Sequence, residues 1–180
     1  MLTHWRKILE MATGDKDLSH NIDNPGKMNI EFKIASEDTF PELLLMMEQF
    51  NSINNYPFEK EKTQKSLLEF LADPNLGRSW VIKYDDLVIG YFVLAFGYSF
   101  EHGGRDAFID ELFVKKEFRR KGIGGLAMDF IQSEAPKLGV KVIHLEVEQH
   151  NDGGVKLYIK KGFKDNGRTL LSKRVIDNKV

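Results

Sequence analysis

A mixed α/β fold, with a central mixed sheet of six to seven strands flanked by about four helices, is what the order of hydrophobic periodicities in this chain predicts. Stretches with strand character and stretches repeating near 3.6 residues succeed one another as β-α-α-β-β-β-α-β-α-β. Two strand stretches, 79–84 and 87–96, are joined only by Asp85-Asp86, a compact hairpin signal. Between the strand at 106–114 and the next helix lies a loop with glycine at 122, 124 and 125, where the backbone can be approached closely.

Composition narrows the class of protein before any site is considered. At 180 residues the chain has the length of one domain, able to bury roughly 70% of its unfolded surface. Residues 29–180 are expected to form that domain. A net charge of −1 gives no general attraction to nucleic acid or to an anionic membrane. The absence of cysteine excludes a disulfide, a thiolate metal site and a cysteine nucleophile, and it fits a reducing cytoplasm. The longest apolar run, 43–47, is far short of the ~20 residues that a membrane span needs. The first residues lack the apolar core of a signal peptide. The expected protein is soluble and cytoplasmic, with no membrane or nucleic-acid partner.

Residues 1–28 stand apart. A short helix over 4–11 and a polar, turn-rich stretch over 14–27 suggest a leader or accessory segment ending at Asn24-Pro25-Gly26, with Met28 as a candidate original start. A strand is expected over 30–35. Thr39-Phe40-Pro41-Glu42 then has the spacing of a capping box, with proline in the first turn of a helix to about residue 50. That helix presents Phe40, Leu43, Leu44, Met47 and Phe50 on one side, its methionines being core filler. A second amphipathic helix over 59–72 ends at Asp73-Pro74-Asn75. After the hairpin, a turn through Glu101-His102-Gly103-Gly104 leads to the strand over 106–114. The helix over about 122–137 sets Ile123, Leu126, Ala127, Phe130 and Ile131 on one face. A strand over 141–147, a helix over 152–161 closed by Gly162, and a strand-rich tail from Phe163 to Ile176 complete the order.

The glycine loop is the centre of the functional argument. A helix start leaves backbone N–H groups unpaired, and with Arg119, Arg120 and Lys121 beside them they suit a phosphorylated ligand. No GxxxxGK[ST] string exists, so a P-loop is excluded. Gly122 to Ala127 formally matches the dinucleotide fingerprint GxGxxA, and Glu146 lies near the spacing of a ribose-binding acid. Seven residues, most of them basic, separate Val114 from Gly122, whereas the dinucleotide turn begins directly off its strand. The chain after Glu146 is also too short for a second mononucleotide half.

The string Arg119-Arg120-Lys121-Gly122-Ile123-Gly124 resembles the (Q/R)-x-x-G-x-(G/A) signature of the GNAT superfamily of N-acetyltransferases. Downstream, Asn151-x-x-Gly154-x-x-x-Tyr158-x-x-x-Gly162-Phe163 resembles that family's second signature, with Gly154 where alanine is usual. The resemblance covers about 29–176 and implies a GNAT-like fold and acetyl-CoA as the acyl donor. It implies that the pyrophosphate of coenzyme A is bound by Arg119, Arg120, Lys121, Gly122, Ile123, Gly124 and Gly125. The backbone of Leu112, Phe113 and Val114 would pair with the pantetheine arm, an N–H of Phe113 or Val114 serving as oxyanion donor. Tyr158 matches the tyrosine that touches the cofactor and protonates the departing thiolate. Asn151 matches an asparagine that contacts the cofactor or caps the helix, and capping is equally what its position suggests.

For the base, Asp110 and Glu111 immediately precede the pantetheine segment. An acidic pair at that point serves the amine in polyamine-acetylating relatives, though in the order Glu-Asp. Because strand neighbours point to opposite faces, only one of the two is expected to face the thioester. Glu146 and Glu148 are second in rank. His102 and His144 have no further ligand at metal spacing, so no metal is expected. The expectation is an acetyl-CoA-dependent N-acetyltransferase acting by direct transfer on a small cationic primary amine (polyamine, amino acid or aminoglycoside-like), and, as is common in the family, a homodimer. The alternatives are acetylation of a protein or peptide, and a non-catalytic acyl-CoA-binding domain.

Overall fold

The computed structural model describes residues 29–173 and 175. The leader expected over 1–28 lies outside them. Among the described residues the elements are β1 (Ile30–Ile34), α1 (Phe40–Ile53), α2 (Lys60–Ala72), β2 (Gly77–Tyr84), β3 (Leu87–Ser99), β4 (Gly104–Val114), α3 (Ile123–Glu134), β5 (Val142–Leu145) and α4 (Asp152–Lys160). The chain divides into two compact units, one running to Glu146 and one beginning at Val147.

The first unit holds a five-stranded sheet in the order β1-β2-β3-β4-β5. The first three pairings are antiparallel and β4–β5 is parallel. The hairpin at Asp85-Asp86 forms as expected, with Asp85 at φ 51°, a left-handed conformation that aspartate tolerates. One face of the sheet carries Val81, Tyr91, Val93 and Phe113 against Leu43, Met46 and Met47 of α1 and Leu67 of α2, so the methionines are core. On the opposite face Phe130 of α3 sits among Phe32, Trp80 and Phe92, with ring centroids 4.6, 5.9 and 5.9 Å away. Burial of these apolar faces is what holds the helices to the sheet.

Three expectations change. The capping box at Thr39 is not made. The Thr39 hydroxyl instead turns back to Ser36, accepting from its N–H at 2.9 Å and donating to its carbonyl at 3.1 Å. The third helix ends at Glu134, and Pro136 falls in a 3-10 turn, Ala135–Leu138, that closes on Gly139. Among the described residues the sheet has five strands rather than six or seven, and residues 163–173 form none. The cause is local. The Asp165 and Asn166 side chains accept from the N–H groups of Gly167 (2.8 Å) and Arg168 (3.0 Å), so side-chain turns satisfy donors that a strand ladder would need.

In the second unit, α4 has both ends secured. Asn151 Oδ1 accepts from Gly154 N–H at 2.9 Å. At the other end Gly162, at φ 92°, donates to the Ile159 carbonyl while Phe163 donates to that of Tyr158, both at 3.0 Å. That pair of bonds is a Schellman motif and requires the left-handed residue that glycine supplies.

Candidate active site

The site is built around an irregularity in β4. Pairing with β3 runs Val93↔Glu111 and then Leu94↔Ile109, so Asp110 is an extra residue opposite none. Such a bulge breaks the strict alternation of faces. Ile109 and Glu111 would share a face in a regular strand. Here Glu111 instead joins Phe113 on the face of α1 and α2, where its Oε2 accepts from Tyr91 Oη at 2.8 Å. The simple alternation from which only one of Asp110 and Glu111 is expected to face the thioester therefore does not carry across the bulge. The two carboxylates are close enough to act on each other, and Asp110 acts on Tyr91 as well.

Electrostatics follows from that placement. Burial raises the carboxyl pKa of Glu111 to about 7, opposed by the hydrogen bond from Tyr91 and assisted by the Asp110 charge. Asp110 is also raised, by partial burial of its carboxyl, although its side chain is the more open of the two. Tyr91, fully buried, is pushed well above 10 by burial and then by Glu111, so it remains a donor.

Among the described residues, pairing of β4 with β5 stops at Ile109, opposite the last residue of β5, Leu145. Lys115 N–H donates to the Ile89 carbonyl at 2.8 Å. Alternation of the ladder therefore turns the backbone groups of Glu111, Phe113 and Lys115 toward β3, and those of Leu112 and Val114 toward the open edge. Of the two candidate oxyanion donors, Phe113 N–H is engaged in the ladder and Val114 N–H is not.

The edge leads into the glycine loop. Arg119 Nε donates to the Val114 carbonyl at 2.7 Å and its guanidinium lies 5.5 Å from the centre of the Phe113 ring, which ties the loop to the strand. Arg120 (φ 62°) and Gly122 (φ 83°) are both left-handed. A Cβ on Gly122 would meet nothing within 4 Å, so the loop is open on that side. The first bond of α3 is Leu126 N–H to the Gly122 carbonyl. Among the described residues, the N–H groups of Arg120, Lys121, Gly122, Ile123, Gly124 and Gly125 have no backbone or side-chain acceptor. The Arg120 and Lys121 side chains are exposed, Lys121 Nζ standing 5.3 Å from the Phe118 ring centre. A run of free donors, an open approach, a helix N-terminus and two cations form a cradle for a di-anion.

Asn151 and Tyr158 belong to the second unit. Asn151 is the N-cap described above, and its side chain occupies the space that an alanine Cβ at 154 would need, 2.6 Å from its Nδ2. Tyr158 is half-buried with its ring 6.2 Å from that of Phe163, and burial raises its phenol above 10. Glu146 and Glu148 are exposed. Tyr98 lies near the β3–β4 turn with its ring against Phe100, both exposed. His144 Nε2 lies 3.7 Å from Asp106 Oδ2, and its ring centre is 5.9 Å from that of His102. Tyr91, the hydrogen-bond partner of Glu111, is the residue of this cluster that sequence reasoning passes over. Its only signal there is a place in an apolar strand.

Residues 43–163 match the model of the acetyltransferase (GNAT) family. The chain is similar to an L-ornithine N5-acetyltransferase of Arabidopsis thaliana, at 29% identity over 93 residues, which cover 51% of this chain and 41% of that protein. Curated relatives are matched over only 40–59% of their own length. Among solved structures, an integron cassette protein from the mobile metagenome of Cole Harbour Salt Marsh superposes with a TM-score of 0.73 at 28% identity, covering 81% of this chain and 91% of that one. An aminoglycoside N-acetyltransferase in complex with CoA gives a TM-score of 0.71 at 14% identity, covering 84% and 99%, a likeness of fold alone.

Proposed function

The chain belongs to the GNAT acetyltransferase family, and from that premise we propose that it is an acetyl-CoA-dependent N-acetyltransferase acting by direct transfer on a small cationic primary amine. The observation that carries the reading is the continuity of the open β4 edge with the free donors of residues 120–125, beside a carboxyl group with a pKa of about 7. Coenzyme A fits this donor set, since its pyrophosphate matches the cradle and its amide-bearing arm matches an unpaired strand edge. Bound there, acetyl-CoA supplies an acyl group activated as a thioester.

The chain's own residues then have separable tasks. The backbone N–H groups of the loop, aided by Arg120 and Lys121, hold the pyrophosphate; Arg119 chiefly braces the loop on Val114. The outward backbone of Leu112 and Val114 orients the arm, and Val114 N–H is the better oxyanion donor. An aliphatic ammonium has a pKa near 10, so only about one acceptor in a thousand is neutral at pH 7. Asp110 attracts that cation, and Glu111 accepts its proton. A carboxyl group titrating near the working pH is suited to that task. The role of Tyr158 rests on the second signature: its Oη gives up a proton to the leaving sulfur, and burial keeps the phenol protonated until then. Asn151 orders the helix that carries Tyr158. The acidic pair, and similarity to an ornithine acetyltransferase, support an amino-acid-like or polyamine acceptor. A homodimer, a cytoplasmic location and a single domain over 29–180 complete the proposal, on family resemblance and composition.

The test is thiol release from acetyl-CoA against a panel of polyamines, amino acids, aminoglycosides and peptides. Release with a small cationic amine is expected. Release with peptides alone would transfer the reading to protein acetylation, and CoA binding without release to a non-catalytic binding domain.

A further inference from the structure

We propose that Tyr91 is a positioning residue of the amine-deprotonating site, holding one oxygen of the Glu111 carboxylate and so making Glu111, rather than Asp110, the base. The inference rests on the acyltransferase reading above. The Tyr91 ring is immobilised by its surroundings: it has no exposed surface, its centre lies 5.8 Å from that of Phe113, and α1 and α2 cover it with Leu43, Met46, Met47 and Leu67. Its single polar side-chain atom points at Glu111 Oε2, 2.8 Å away. Oε1 has no partner among the described residues and is left to accept a proton.

The clamp depends on the bulge. Without the extra residue at Asp110, Glu111 would fall on the other face of the sheet, beyond reach of Tyr91. Asp110 has no equivalent clamp, and its side chain is exposed. The charged and titratable groups acting on Glu111 are Tyr91, from β3, and Asp110, from its own strand; the helices over this face contribute apolar side chains. A buried tyrosine that merely needed an acceptor would contribute to stability alone. A positioning tyrosine also sets where Glu111 titrates, because its hydrogen bond favours the ionised carboxylate.

The experiment follows the Glu111 side-chain carboxyl by carbon NMR from pH 4 to 9 in the full chain and in Tyr91→Phe, with Glu111→Gln identifying the signal. Tyr91→Phe keeps the ring in the core, and calorimetric binding of CoA reports that the variant is folded. Wild type is expected to titrate near 7, and Tyr91→Phe about one unit higher, as loss of a hydrogen bond to an ionised group requires. The acid limb of thiol release, with L-ornithine and spermidine as probe amines, is expected to move by the same amount. An unmoved midpoint with CoA binding intact would overturn the Tyr91 inference and leave the acyltransferase reading standing. Failure of wild type to bind CoA would overturn that reading, and this inference with it, even if the midpoint moved.

Discussion

The carboxyl group of Glu111 loses its proton in the folded protein only near pH 7, against 4.5 when unperturbed, because burial outweighs the hydrogen bond from Tyr91. The folded chain therefore binds more protons than the unfolded chain between those values. Its stability from this group is fully present below pH 4.5 and is lost as pH rises through 7. Glu111→Gln cannot ionise, so it should gain stability relative to wild type across that window. Urea denaturation at pH 5 and pH 8 checks this, and an equal difference between the two proteins at both values would contradict it. Tyr158→Phe should lower turnover by about 10²-fold or more, as expected for loss of a general acid, with a much smaller change in CoA affinity. Unaltered turnover would remove Tyr158 from the mechanism. At this scale the sequence shows Asp110, Glu111 and Tyr158 through their spacing to recognisable strings. It does not show Tyr91, because the contact depends on a cross-strand register with one residue inserted.

Elements are governed by their ends. Gly122 starts α3 from φ 83°, a conformation that costs an L-residue about 1–2 kcal/mol, while an added methyl would meet nothing within 4 Å. Gly122→Ala should thus destabilise by about that amount through backbone strain alone, measured as a lower urea midpoint. Asn151→Ala removes the cap of α4 and should cost about 1 kcal/mol by the same measurement. The helices were legible because their apolar faces repeat over three or more turns, and the glycine at 162 marked an end correctly. The tail was not legible. Apolar residues at 170, 171 and 175 mimic a strand, while Asp165 and Asn166 close side-chain turns before them. The threonine at 39 likewise has cap spacing toward Glu42, but its hydroxyl is engaged by Ser36.

Across the first unit, the sheet sandwiches its chemistry between two apolar layers. Phe130 joins α3 to Phe32, Trp80 and Phe92, and so fixes the helix that begins at the glycine loop. Phe130→Ala should cost about 3 kcal/mol and weaken CoA binding beyond any direct contact, read from thermal unfolding and calorimetry together. The order of elements was readable from periodicity over nearly the whole first unit. The end of the β4–β5 pairing at Ile109 was not, because it depends on how far a short parallel strand runs. The free donors at the start of α3 are proposed to bind coenzyme A. Gly124 lies inside that helix and is not left-handed, so Gly124→Val adds bulk at the cradle without backbone strain. Calorimetric titration of wild type and Gly124→Val with CoA measures this binding. Saturable binding by wild type, abolished in a Gly124→Val protein that still unfolds cooperatively, is the predicted result. Equal affinity in the two proteins would contradict it.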